Sequence, residues 1–228
     1  MFKKKSSRFL SLVSLVLTLL MGSIVPSFAD TGTSTITLAD NSKIEIQLIN
    51  DTSYIATEND ERLLVSVKEN KNETITTLKN LETGKEGYLL RDEVKGTIYS
   101  SITGKTINLD NEIYEKEGYS SRDGDIFIGT RYMSYDTIST LAGINGGITL
   151  MASVTLAYYN VPYSSVVILI TGVLAGLGIV TAGAFKLAFP NGGLKFDLYD
   201  IERSSVRGGV THYYYVRSIK NVKHLSVI

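Results

Sequence analysis

From Thr137 to Phe185 the chain reads TISTLAGINGGITLMASVTLAYYNVPYSSVVILITGVLAGLGIVTAGAF, 49 residues without one Asp, Glu, Lys or Arg. A charge at the centre of a membrane helix costs about 2.5–3.5 kcal/mol, so a charge-free run of this length is what contact with a bilayer requires. As a single helix it would reach about 74 Å, more than twice the ~30 Å of a hydrocarbon core. Asn160-Val161-Pro162 divides it, and the pattern predicts an apolar helical hairpin over 137–189 with arms at about 138–159 and 163–187. The same run has a second use open to it, as a buried helical pair, because wholly apolar helices also fill the cores of water-soluble domains.

The arms differ in quality. The second is the more apolar, and Val166, Val167, Ile168, Leu169, Ile170 and Leu174 are its expected membrane-inserting residues. Gly172 and Gly176 have the Gly-x-x-x-Gly spacing and Gly183 follows seven positions later, a stripe that lets helix backbones approach in lipid. The first arm is diluted by Gly143, Gly146 and Gly147. Its Asn145, Thr149 and Ser153 recur every four residues and would share one helix face. That polar stripe is expected to pack intramolecularly against the second arm, or in a homo-oligomer to line a wet path. Tyr158, Tyr159 and Tyr163 surround the turn, where tyrosine rings favour the membrane–water interface.

The flanks of the uncharged run carry opposite charge. From Asp30 to Asp136 there are 20 acidic and 12 basic residues, a net of −8, whereas from Lys186 onward there are 3 acidic and 7 basic, a net of +4. Neither flank has the basic density of a nucleic-acid binder. Ahead of both, Lys3, Lys4, Lys5 and Arg8 precede an apolar stretch from Phe9 to Met21, and Ser27-Phe28-Ala29 offers small residues for processing. Residues 1–29 therefore read as a secretory signal peptide, and the product as secreted or held at the extracellular face of the cell membrane. The chain has no cysteine, which excludes both disulfides and a lipid anchor at the signal junction.

Over 30–136 apolar residues alternate in short runs, such as Ile44, Ile46 and Leu48, or Leu63 to Val67. Polar clusters separate them, among them Glu58-Asn59-Asp60-Glu61 and Glu82-Thr83-Gly84-Lys85. The pattern predicts an acidic, antiparallel β-rich domain. Asp123-Gly124-Asp125 and the Glu58 cluster read as turns, short of the oxygen donors that a calcium loop requires. After Pro190-Asn191-Gly192-Gly193, the runs Leu194 to Leu198 and Val210 to Ile219 predict a basic β-hairpin tail over 190–228. The expected fold is thus α+β: N-terminal sheet, central apolar hairpin, C-terminal β-hairpin.

Catalysis finds no support. His212 and His224 are the two histidines, and no nucleophile elbow, zinc-helix motif or phosphate loop is present, so neither an enzyme nor a cofactor is expected. A basic signal peptide, an acidic β-rich part and a glycine-rich apolar hairpin (Gly143 to Gly147, Gly172 to Gly183) resemble the layout of larger secreted bacteriocin-like or toxin-like proteins of Gram-positive bacteria. The resemblance is one of architecture. It implies a protein that meets a target lipid bilayer through its hairpin, while the β part serves recognition or shielding. A membrane-anchored surface protein that uses the hairpin as a permanent anchor is the alternative.

Overall fold

Alternation decides the N-terminal half. In Lys43–Asn50 the side chains of Ile44 and Ile46 are fully buried, while Lys43, Glu45 and Gln47 face water. The computed structural model describes residues 32–38, 41–109, 125–162, 166–207 and 209–227, so the predicted signal peptide, Asp123-Gly124 and Tyr163 lie outside the described residues. Eight strands follow one another as an antiparallel meander: β1 (Thr33–Thr37), β2 (Lys43–Asn50), β3 (Ser53–Glu58), β4 (Glu61–Glu69), β5 (Glu73–Asn80), β6 (Glu86–Asp92), β7 (Thr97–Ser100) and β8 (Lys105–Asn108). One face of this sheet is apolar, with Ile44, Ile46, Tyr54, Ala56, Val65, Leu78, Leu89 and Ile98 all buried.

The β3–β4 turn sets the register that matters below. Asn59 and Asp60 both have positive φ, 52° and 63°, the mirror-image turn that suits the twist of a two-residue hairpin. Glu58 consequently pairs with Glu61 and opposes Ile44 on the other side. Because side chains alternate along a strand, Tyr54, Ala56 and Glu58 share the inward face.

A second sheet forms from β9 (Ile126–Ser134), β10 (Gly193–Arg207) and β11 (Val210–Leu225), in the order β11-β10-β9 and antiparallel throughout. The expected tail hairpin is present. It gains β9, the last strand of the acidic region, and does not join the meander.

Between β9 and β10 the uncharged run forms four helices: α1 (Tyr135–Ala142), α2 (Ile148–Tyr158), α3 (Val166–Ala175) and α4 (Ala182–Ala188). This corrects the expectation of two long arms. Ser134 caps α1 by accepting from the Thr137 N–H, and α1 ends at Gly143 with φ 80°, a conformation glycine adopts without strain. The second arm breaks at Gly176–Val180, after which Thr181 caps α4. No helix among the described residues is long and apolar enough to cross a membrane.

The helices instead pack against the two sheets, α1 to α3 largely buried and α4 burying only Ala182 and Phe185. Ten residues of α2 are buried, from Ile148 around the whole circumference to Tyr158. A helix apolar on every side is satisfied by such surroundings as well as by lipid. From the second sheet, Leu194, Phe196, Leu198, Ile219 and Val222 join the same core.

Candidate functional site

Three polar residues on the inward face of the meander meet helix ends. The carboxylate of Glu58 accepts from the backbone N–H of Ile148 (3.0 Å), the N–H of Thr149 (3.1 Å) and the Thr149 hydroxyl (2.9 Å). The N-cap of α2 is Gly147, which has no side chain to do this. Its lack of a Cβ lets the carboxylate approach, since a Cβ there would stand 2.8 Å from Glu58 Oε2 and displace it. At the opposite end, the Arg91 guanidinium of β6 donates to the carbonyl of Tyr158 and is itself held by Glu93 through two contacts of 2.5 and 3.0 Å. Anion at the amino end and cation at the carboxyl end both complement the helix dipole. Ser100 of β7 completes the set by donating to the Leu141 carbonyl at 2.7 Å, in the last turn of α1.

The stripe predicted for the first arm divides. Asn145 lies exposed in the turn before α2, while Thr149 and Ser153 face β3 and not the second arm. Ser153 Oγ donates to the Thr149 carbonyl at 2.7 Å and lies 2.7 Å from the Tyr54 hydroxyl. With its proton committed, Ser153 accepts from Tyr54, whose hydroxyl burial pushes well above the ordinary tyrosine range.

Tyr158 and Tyr159 are not interfacial in this structure, at 4% and 8% exposure. Their hydroxyls reach the carbonyls of Asn108 and Tyr132 at 3.5 and 2.7 Å, and the Tyr159 ring stands edge-on to Phe196. Buried tyrosines with bonded hydroxyls serve a protein core as well as a membrane surface.

The predicted glycine stripe also separates. Open space surrounds the position a Cβ would take at Gly172, and Gly176 is exposed in the turn after α3, so neither brings helices together. Gly183 does allow close approach, since its Cβ would stand 2.8 Å from the Ile144 carbonyl. Here the two breaks in the uncharged run lie side by side. Ala182 N–H donates to Gly146 O and Gly183 N–H to Ile144 O, both at 2.9 Å, and Gly147 pairs with Thr181 as an antiparallel bridge. The predicted inserting residues all fall on α3: Val166, Val167, Ile170 and Leu174 are buried, while Ile168 and Leu169 are partly buried.

Beside the turn after α2 opens a cleft of about 520 Å³. One wall is β11, from Tyr214 to Arg217, with Asp200 of the neighbouring β10; Asp51, Thr52, Glu69, Asn160 and Pro162 complete the lining. Among the described residues no group of acidic or histidine side chains is arranged to hold a metal ion. No family model, curated protein or solved structure matches this chain.

The signals for the polar contacts are faint in the sequence. Glu58 is the third member of the alternation Tyr54, Ala56, Glu58, a charge where an apolar residue is due, and Gly147 precedes a helix without any capping side chain.

Proposed function

We propose that this is a secreted, membrane-active protein of the toxin-like kind, in which the inserting segment is stored as four short helices between two sheets. The observation that carries the reading is the placement of the breaks. Residues 135–158 and 166–188 each hold two helices interrupted at one level, where the breaks are joined by backbone hydrogen bonds. Made continuous, these stretches would extend about 36 and 35 Å, each sufficient for a ~30 Å core. The absence of charge from 137 to 185 makes such a rearrangement affordable in lipid.

Dye release from liposomes tests it, with the exported chain purified from culture. Leu169→Lys places a charge in α3, and Val180→Lys places one at the centre of the continuous arm. Val180 is 40% exposed at the break, so its substitution leaves the stored form intact. Release by the wild type, lost in both variants while the melting temperature of Val180→Lys is unchanged, is the expected result. No release at any lipid composition overturns the proposal. Retention of all protein in the producer's membrane, resistant to salt extraction, would instead favour a permanent anchor.

A further inference from the structure

We infer that the cleft between β11 and the Asp51–Thr52 turn is a binding site for an extended peptide segment bearing a basic side chain, added as a further strand along the outer edge of β11.

Strand geometry supplies the first argument. Four consecutive residues, Tyr214, Tyr215, Val216 and Arg217, line one wall. Successive side chains of a strand point to opposite faces, so four in a row bring the edge of β11 to the cleft, which also reaches over one face to Asp200 of β10, opposite Arg217. β11 is the outermost strand of its sheet, and its outward backbone groups have no ladder partner among the described residues. Unpaired edges of this kind are templates for another extended chain. From Val210 to Val216 the strand carries no Lys, Arg, Asp, Glu, Pro or Gly that would deter pairing; the edge charges Lys220 and Lys223 come only afterwards.

Two residues of the lining carry polar atoms that the protein itself encloses. Asn160 Oδ1, an acceptor, and Arg217 Nε, a donor, are both buried without a hydrogen-bond partner among the described residues. Arg217 Nε lies 3.5 Å from Asp200 in an ion pair. An incoming peptide would therefore meet the edge backbone groups of β11 and the exposed side chains of Asp51 and Glu69.

Charge selects among peptides. Asp51, Glu69 and Asp200 line the cleft against the single guanidinium of Arg217, which favours a cationic side chain over an acidic one. The same chain already uses this chemistry internally: Lys220 Nζ sits 2.6 Å from Asp125 and 4.8 Å above the Tyr199 ring. In the cleft, Tyr214 and Tyr215 line the same space as Asp51, Glu69 and Asp200. The volume lies within the range of ligand sites, about 300–1,000 Å³.

This site is independent of membrane insertion, and its test contains no lipid. The probe is acetyl-Val-Lys-Val-Lys-Val-amide, titrated calorimetrically into the exported chain. One control replaces both lysines by glutamate, and a second carries N-methyl groups on alternate amides. We expect binding of the lysine peptide, with both controls weaker by about tenfold or more. Asp51→Lys combined with Glu69→Lys, both at exposed positions, should weaken it similarly without lowering the melting temperature. No binding of the lysine peptide at ~1 mM, equal binding of the N-methylated peptide, or undiminished binding by the double variant overturns the inference.

Discussion

Glu58, at the end of β3, and Thr149, 91 positions later in α2, are joined twice, through the backbone N–H and through the hydroxyl of the threonine. A residue of the meander thus performs the N-capping that the helix's own sequence omits. Substituting a capping side chain by alanine costs about 0.5–2 kcal/mol. Glu58→Ala should lower the melting temperature by about 2–4 °C per kcal/mol in a chain of this size. Gly147→Ala should cost a similar amount, because its methyl group displaces the carboxylate. The double variant should be less destabilised than the sum, and full additivity in thermal unfolding would refute the shared cause.

Arg91 tests the other end of the same helix. Arg91→Met removes a charged donor to Tyr158 O, at a cost of about 1.5–3 kcal/mol. Arg91→Lys keeps the charge but loses the planar fork that also engages Glu93, and should fall between the two. Equal unfolding midpoints for Met and Lys in urea would show that the charge contributes nothing.

The Tyr54–Ser153 bond has a direction, and the direction predicts an asymmetry. Ser153→Ala leaves a fully buried tyrosine O–H without an acceptor, whereas Tyr54→Phe removes the donor and leaves only a lone pair on a serine that still donates to Thr149 O. We expect Ser153→Ala to be the more damaging by about 1 kcal/mol, and Tyr54→Phe to rescue it in the double variant. Chemical denaturation of the three variants decides this, and a more damaging Tyr54→Phe would reverse the assignment of donor and acceptor.

His224 makes stability depend on pH. It lies against Tyr135, whose hydroxyl is 2.8 Å from Nδ1, and against the Phe189 ring; burial holds its imidazole below the ordinary range. A base whose pKa is lowered by folding is protonated more readily in the unfolded chain. Its contribution is therefore complete above the unfolded value of about 6.5 and is lost as pH falls below it toward the folded value. His224→Gln keeps an acceptor for Tyr135 and does not titrate. The fall in melting temperature between pH 7 and pH 5 should be shallower in this variant, and an identical fall would assign the effect to other groups.

Much of the sheet architecture is legible in the sequence because one buried face enforces period two: Ile44 and Ile46, then Tyr54 and Ala56, repeat the rule in successive strands. The uncharged run is legible as buried but not as to what buries it, since the absence of charge reports a low-dielectric surrounding and does not distinguish lipid from two apolar sheet faces. Its helix ends are also hidden. Gly143, Gly146 and Gly147 read as dilution of one helix, yet they end α1 and allow Glu58 to approach α2; Thr181 reads as part of an arm, yet it caps α4. The tail's hairpin follows from alternation, whereas its pairing with β9 joins segments far apart in sequence and has no local signal.

That pairing has a kinetic consequence. Every neighbour in the meander is adjacent in sequence, so its hairpins close over short loops. Thr130 and Asp197, hydrogen-bonded at 2.8 Å across β9 and β10, are 67 positions apart and enclose all four helices. Closing the second sheet therefore awaits the helices, and the meander is the element able to nucleate first. For a chain emerging amino end first, the apolar helices arrive at a template already folded, and the last strands to emerge form the cover that shuts them in.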